Sequence, residues 1–184
     1  MNLDTELAEQ IAERALALGE ELDRLQWRVT AAESCTGGAI AAAITSVAGA
    51  SQWFDGSVVS YANRIKQNLL SVSQRDLEQL GAVSEEVARQ MASGVLALMD
   101  ANIAVAVSGI AGPDGGTEDK PVGTVWIALA SSQGQEPVSI DARCFHFHGD
   151  RSRIQELTVA EALAMMLALV RRQGAAPEAA AEES

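Results

Sequence analysis

The chain has 184 residues, 48% hydrophobic and 4% aromatic, which suits one compact domain whose core is packed mainly by alanine, leucine and valine. Its formal net charge is −12 and it has no basic run, which argues against nucleic acid as a partner. The sequence shows neither a signal-peptide pattern nor an apolar stretch near the ~20 residues of a membrane span, so we predict a cytoplasmic protein that does not bind membranes.

The N-terminal half of the chain alternates helix and strand patterns. Apolar residues at three- and four-residue steps predict an amphipathic helix over 3–25. A short strand over 27–32 leads into the segment Glu33-Ser34-Cys35-Thr36-Gly37-Gly38, and a small-residue helix follows over 39–47. The next strand, over 58–61, precedes a helix that contains Lys66.

The C-terminal half predicts two further helices and three strands. One helix starts after Ser84, and Asp150 caps a last helix that runs to about Gln173. The strands are expected over 103–107, 124–130 and 138–147. The first of them is expected to stop at Ser108 and Gly109, because the following segment is too rich in glycine.

This alternation places the chain in the α/β class. We predict a three-layer α/β/α sandwich with a mixed, mostly parallel sheet of about five strands. The last two strands have no helical crossover between them, and Gln133-Gly134 suggests a reversal, so one of them should be antiparallel. We expect one domain over 1–174 and a disordered acidic, alanine-rich tail over 175–184.

Three loops follow three of the apolar strands, over 33–38, 61–66 and 108–116. Ligands of open α/β sheets gather outside the carboxyl ends of the strands. If the three strands are parallel neighbours, the three loops meet at one end of the sheet. That end is the predicted active site.

The first loop offers a nucleophile beside a new helix. Its glycines allow a tight turn, and free N–H groups at the helix start suit a phosphate or an oxyanion. Ser34 is placed as a nucleophile if a base sits beside it, whereas Ser34 or Thr36 as a simple helix cap is an equal alternative. Cys35 competes as a thiolate, although a small buried side chain is the commoner role for cysteine.

The second loop offers a base for that nucleophile. No Ser-His-Asp set is evident, since the only histidines, His146 and His148, lie on a predicted strand. The alternative activator is Lys66 with a pKa lowered by burial, perhaps with Tyr61 as a proton relay. The competing interpretation is a tyrosine packed at a strand end and a solvated lysine.

Other polar residues suggest weaker sites. The third loop lacks the Gly-Lys-Ser/Thr ending of a Walker loop, though its glycines permit close approach to a ligand, and Lys120 after it is either an anion contact or solvated. Cys144, His146 and His148 alternate along one strand, where packing is favoured over a metal site. Arg151 and Arg153 open the last helix against its dipole, which suits binding an anion.

Several motifs occur in a fixed order that resembles the CinA C-terminal domain family, from about Leu7 to the last helix. They are Ala32-Glu33-Ser34-Cys35-Thr36-Gly37-Gly38, Tyr61-Ala62-Asn63-Arg64-Ile65-Lys66, Gly81-Ala82-Val83-Ser84-Glu85, Ser108-Gly109-Ile110-Ala111-Gly112-Pro113-Asp114-Gly115-Gly116 and Lys120-Pro121-Val122-Gly123-Thr124-Val125. The family's stand-alone members include nicotinamide mononucleotide deamidases, so the resemblance implies hydrolysis of a nucleotide carboxamide to a carboxylate and ammonia, with neither metal nor cofactor. The pyrophosphatase domain that precedes this one in longer members is expected to be absent.

The resemblance also implies roles for individual residues. Ser34 would be the nucleophile, activated by Tyr61 and Lys66. The implied substrate-binding groups are Thr36, Gly37, Gly38, Asn63, Ser108, Gly109 and Arg151. One position departs from the family, which often has a second arginine where this chain has Gln155. Arg153 lies on a different helical face, so Arg151 is the expected arginine contact.

Two other functions stay open at the level of the sequence. One is the same hydrolytic chemistry on another amide. The other is a nucleotide-binding or regulatory module without turnover. We also expect a homodimer or a higher homo-oligomer, because Met165 and Met166 suggest exposed apolar helix faces.

Overall fold

A computed structural model describes residues 3–132 and 138–175. The predicted turn at Gln133-Gly134 and positions 176–184 of the predicted tail lie outside these residues. The strands are β1 (Val29–Glu33), β2 (Phe54–Val59), β3 (Ile103–Gly109), β4 (Thr124–Ser131) and β5 (Ser139–His146). The helices are α1 (Leu3–Leu25), α2 (Ala39–Thr45), α3 (Asn63–Leu70), α4 (Gln74–Gln79), α5 (Glu85–Met99) and α6 (Arg151–Gly174).

The five strands form one mixed sheet in the order β2-β1-β3-β4-β5. β1 is parallel to both β2 and β3, whereas β4 is antiparallel to β3 and to β5. Four strands therefore run in the same direction and β4 alone runs against them. The predicted α/β fold, its mixed sheet and the single reversed strand among the last two are confirmed.

The two faces of the sheet differ in side-chain size. On one face, larger residues such as Ile103, Val105 and Ile127 pack against α1, α2 and α6. On the other face, Ala104 and Ala128 are among the alanines that pack against α3, α4 and α5. The alternation of a large residue with alanine follows from the two-residue period of a strand, and it lets α5 lie close to the sheet. None of the helices in the described residues is long and apolar enough to cross a membrane.

Some local predictions were wrong. β3 continues through Ser108 and Gly109. A Cβ atom at position 109 would lie 2.6 Å from the Val125 Cγ2 atom of β4, so the packing of the two strands requires glycine there. Glycine here allows close strand packing and does not end the strand. Met165 and Met166 are 7% and 0% exposed, so they belong to the core and give no support to an oligomer.

Candidate functional site

The first two loops meet because the strands before them are parallel neighbours. The Ser60 N–H donates to the Glu33 carbonyl at 2.8 Å, and the Ser34 N–H donates to the Val107 carbonyl at 3.1 Å. The end of β1 is therefore tied to the segments that leave β2 and β3. The predicted convergence of these loops at the carboxyl ends of the strands is confirmed.

Ser34 and Lys66 lie in contact across these two loops. The Lys66 side chain, on the second turn of α3, reaches back to place its Nζ 3.0 Å from Ser34 Oγ. The same Nζ donates to the carbonyl oxygens of Ser60 at 2.7 Å and Tyr61 at 3.3 Å. Carbonyl oxygens only accept hydrogen bonds. When Lys66 is a neutral amine, its two N–H groups can bond the carbonyls, which leaves its lone pair for the Ser34 hydroxyl.

The burial of Lys66 favours its neutral form. Its side chain is only 1% exposed, and desolvation of the ammonium lowers the pKa of Lys66 to about 8. A lysine with an ordinary pKa near 10 would hardly ever be neutral at pH 7, whereas a pKa of about 8 leaves roughly one tenth of it neutral. The interpretation of Lys66 as a solvated helix residue was wrong.

Glu33 is a structural part of the site that our sequence analysis did not single out. Its carboxylate is fully buried and accepts from the Thr36 hydroxyl at 2.7 Å and from the N–H groups of Gly38, Ile40 and Ala41 at 2.9–3.0 Å. The first N–H groups of a helix have no partner within it, and this carboxylate accepts hydrogen bonds from them at the start of α2. Its negative charge also complements the helix dipole. An acidic residue directly after an apolar strand was the signal available in the sequence.

This capping changes which donors of the first loop are free. The Thr36 hydroxyl and the Gly38 N–H are already bonded to Glu33, so in this arrangement neither is available to a substrate. The Gly37 N–H donates to the Ser34 carbonyl at 3.3 Å. Within residues 3–132 and 138–175, no carbonyl or carboxylate accepts from the backbone N–H of Cys35 or Thr36. These two amides directly follow Ser34.

Gln155 of α6 fixes the peptide group between Cys35 and Thr36. Its side-chain amide donates to the Cys35 carbonyl at 2.7 Å. In a trans peptide the C=O and the following N–H point in opposite directions. Holding the carbonyl of Cys35 toward α6 therefore directs the Thr36 N–H away from α6. The position where the chain departs from the family thus contacts the nucleophile loop.

Cys35 itself is packed in the core. Its side chain is 5% exposed, and burial raises the pKa of the thiol to about 12. The thiol is therefore protonated at neutral pH. Burial and the raised pKa argue against Cys35 as a thiolate nucleophile and fit the interpretation as a small buried residue.

Tyr61 and Arg151 form a separate pair at the surface of the site. The Tyr61 side chain is 62% exposed, and its hydroxyl accepts from Arg151 Nη2 at 3.3 Å. Lys66 contacts only the main chain of Tyr61. The expected relay through the phenol therefore has no contact with Ser34 or Lys66 to support it. Asn63, at the start of α3 and two positions after Tyr61, is exposed.

The third loop is joined to the second through Arg151, whose Nη1 donates to the Gly112 carbonyl at 2.9 Å while its Nη2 bonds Tyr61. Ser108, at its start, and Lys120, after its end, have structural partners instead. The Ser108 hydroxyl donates to the Ala82 carbonyl at 2.7 Å, and Lys120 donates to the Leu80 carbonyl at 2.7 Å. The expected contact of Ser108 and Gly109 with substrate is therefore not supported, because both lie within β3 and are packed there.

The alternating residues at the end of β5 do not form a metal site. Cys144 Sγ lies 4.0 Å from His146 Nε2, and His146 Nδ1 lies 3.4 Å from Thr124 Oγ1. No group of three or more His, Cys, Asp or Glu side chains in the described part of the chain is arranged to hold a metal ion. All three side chains are exposed, so the favoured interpretation, packing along the strand, is not supported either.

Known proteins are similar to this chain in sequence and fold. The family model for the CinA C-terminal domain matches residues 10–170. A protein named nicotinamide-nucleotide amidohydrolase PncC is 49% identical in Enterobacter agglomerans, over 79% of this chain and 87% of the relative, and 44% identical in Escherichia coli K12, over 86% and 89%. The crystal structure of competence/damage inducible protein CihA from Agrobacterium tumefaciens superposes with a TM-score of 0.83 at 41% identity, over 87% of this chain and 95% of that chain.

Proposed function

The chain belongs to the CinA C-terminal domain family, and from that membership we propose that it is an amidohydrolase that converts nicotinamide mononucleotide and water to nicotinate mononucleotide and ammonia. The observation that carries the proposal is the buried Lys66 Nζ at 3.0 Å from Ser34 Oγ. A nucleophile and its base in contact are what amide hydrolysis requires first. A cytoplasmic location, where pyridine nucleotides are recycled, stays part of the proposal.

The first half of the reaction acylates Ser34. Neutral Lys66 accepts the proton of the Ser34 hydroxyl while Oγ attacks the carboxamide carbon. The carbonyl π electrons move to the oxygen and form a tetrahedral oxyanion. Lys66 then returns its proton to the amide nitrogen, the C–N bond breaks, and ammonia leaves. The product of this half is an ester of Ser34.

The second half repeats the exchange with water. Lys66, neutral again, accepts a proton from a water molecule whose oxygen attacks the ester carbon. The second tetrahedral intermediate breaks when Lys66 returns the proton to Ser34 Oγ, which releases the carboxylic acid and restores the hydroxyl. The acid then loses its remaining proton to solvent, where the released ammonia takes one up, and becomes the carboxylate. Each proton taken by Lys66 is given back within the same half, so one base serves both.

The oxyanion donors that fit this sequence are the backbone N–H groups of Cys35 and Thr36. They follow the nucleophile directly, and the amides nearer α2 are bonded to Glu33. Removing one oxyanion donor typically costs 10²–10³-fold in kcat, so the orientation of this loop matters as much as the base. Arg151 and Asn63 are both exposed, and we propose that they bind the phosphate of the substrate.

The test is ammonia release from nicotinamide mononucleotide by the wild type, by Ser34→Ala and by the wild type with a chelator. Ser46→Ala removes a hydroxyl at the other end of α2 and is the matched control. We expect chelator-resistant turnover that disappears in Ser34→Ala and persists in Ser46→Ala.

The other outcomes separate the competing functions. A folded wild type that releases ammonia from another amide but not from nicotinamide mononucleotide would move the assignment to that amide. Thermal stabilisation by the nucleotide without ammonia release, and unchanged by Lys66→Met, would indicate a binding module. Turnover that survives Ser34→Ala would overturn the serine mechanism.

A further inference from the structure

The sheet has two outer edges, and they are protected unequally. β2 has six residues and a register irregularity against β1, and its Asp55 is paired with Arg28. β5 has eight residues in unbroken register with β4 and contains neither proline nor lysine. Natural proteins prevent edge-to-edge pairing with bulges, short strands, proline and charged side chains, lysine above all. Of these devices β5 has only charged side chains, Asp141 and Arg143, and they are of opposite sign.

The direction of the backbone groups of β5 follows from its ladder. The Phe147 N–H donates to the Gly123 carbonyl, directly beyond the last pair of the register. Bonded and non-bonded pairs alternate in an antiparallel ladder, so the odd-numbered residues of β5 bond to β4. The even-numbered residues from Ile140 to His146 point their N–H and C=O groups outward. Among the described residues, Arg89 contacts this edge, through a bond of 2.9 Å to the Ile140 carbonyl.

The charges on β5 are arranged symmetrically about Ala142. Asp141 and Arg143 flank it on the same face, where Arg143 Nε lies 3.5 Å from Asp141 Oδ2, and their side chains are 57% and 60% exposed. A two-fold axis through the edge at Ala142 places Asp141 opposite Arg143 of the partner subunit, and Arg143 opposite Asp141 of the partner subunit. Opposite charges in directly opposed positions stabilise an antiparallel pair. Shifting the axis by one residue in either direction brings like charges together.

The groove beside β5 also carries opposite charges that a two-fold axis would bring together. It has a volume of about 170 Å³ and is bounded by β5 and by the α6 residues Glu161, Ala164, Ala168 and Arg172. The acidic residue, the two small residues and the basic residue follow one another along α6. The same two-fold axis reverses their order in the second copy, so the acidic end of one wall faces the basic end of the other.

We propose that β5 pairs with β5 of a second copy of this chain, antiparallel and centred on Ala142, so that two sheets join into one. This interface does not depend on the proposed function. It lies along β5 and α6, away from Ser34 and Lys66, so loss of pairing should leave the amidohydrolase activity of each subunit intact. Self-complementary surfaces of this kind are what a two-fold dimer requires.

Sedimentation velocity at about 0.1 mM protein, well above a micromolar dissociation constant, tests the assembly. We expect a dimer for the wild type and a monomer for Asp141→Arg, with the dimer restored in the double variant Asp141→Arg/Arg143→Asp. Ala142→Pro should also be monomeric, because the lost N–H points outward and costs no bond to β4. Asp55→Arg on the β2 edge is the control and should remain dimeric.

An engineered cross-link tests the register. In the proposed pairing, position 140 lies opposite Cys144 of the partner subunit, with Cα atoms about 5.5 Å apart, a distance that a disulfide can span. Oxidised Ile140→Cys should therefore form a covalent dimer, whereas Ser139→Cys, one residue along and on the other face, should not. A monomeric wild type, or a dimer that survives Ala142→Pro and Asp141→Arg, would overturn the proposal.

Discussion

The parallel half of the sheet, formed by β2, β1 and β3, and the antiparallel half, formed by β4 and β5, use burial differently. Both buried charged side chains among the described residues belong to the parallel half, Glu33 at the end of β1 and Lys66 in α3. The buried polar residues of β4, Thr124 and Ser131, are uncharged. A buried charge is costly unless it is well bonded, so its presence marks the half where chemistry, and not packing, determines the residue.

The largest effect expected from this comparison is that of Lys66→Met. Removing the base should lower kcat/KM about 10²–10⁴-fold, while thermal stability holds or rises because an ammonium no longer has to be buried. Ammonia release and thermal unfolding measure the two effects. Lys120→Met is the matched control, since that lysine also donates to a backbone carbonyl but lies beyond the third loop. Full activity in Lys66→Met would exclude the lysine as the base.

A substitution in the antiparallel half should lower stability and leave activity unchanged. Ile127 of β4 is fully buried in the large-residue face of the sheet. Truncation in Ile127→Ala should lower the free energy of unfolding by about 2–5 kcal/mol, through lost contacts and a residual cavity. The kcat of the folded fraction should stay within about twofold of the wild type, because no catalytic side chain touches this position. A loss of kcat without a loss of stability would contradict the division between the halves.

The sequence was informative wherever a pattern is local. The strand-loop-helix order and the Gly-rich turns predicted the sheet and the converging loops, and the resemblance to the family implied the Ser34–Lys66 pair. It was uninformative where a side chain finds its partner only in three dimensions. The Tyr61 phenol bonds Arg151, 90 positions away, and Gln155 bonds Cys35, 120 positions away. Gly109 was misjudged for a similar reason, since the close approach of Val125 that requires it is a property of the packed sheet.

Removing the contact between Gln155 and the loop that contains Ser34 should have an effect of intermediate size on kcat. In Gln155→Ala the Cys35 carbonyl loses its donor, so the Thr36 N–H should no longer be held toward the oxyanion. We expect kcat to fall about tenfold with KM little changed, less than the loss of a whole oxyanion donor. Gln173→Ala, which removes a comparable bond at the far end of α6, is the control. A rise in KM alone would assign Gln155 to substrate binding.

The pH dependence of the reaction sharpens the role of Lys66. Because burial lowers the pKa of Lys66 to about 8 and only the neutral amine accepts the Ser34 proton, kcat/KM should rise with pH and level off above about 8. At pH 7 roughly one tenth of the maximal value is expected, since one tenth of the lysine is then neutral. A kcat/KM that is flat from pH 6 to pH 9 would exclude this titration.

The smallest effect is expected at Cys35, the neighbour of the nucleophile. Its thiol is buried and its pKa is raised to about 12, so it has almost no thiolate at pH 7 and packs as a small apolar side chain. Cys35→Ala should therefore keep kcat within about threefold, although the lost sulfur contacts will lower the unfolding temperature slightly. Iodoacetamide should alkylate the exposed Cys144 first and leave activity intact. Two results would give the thiol a chemical role: alkylation of Cys35 that tracks the loss of activity, or loss of turnover in a folded Cys35→Ala variant. In either case the loop would have to open during the reaction and expose the thiol.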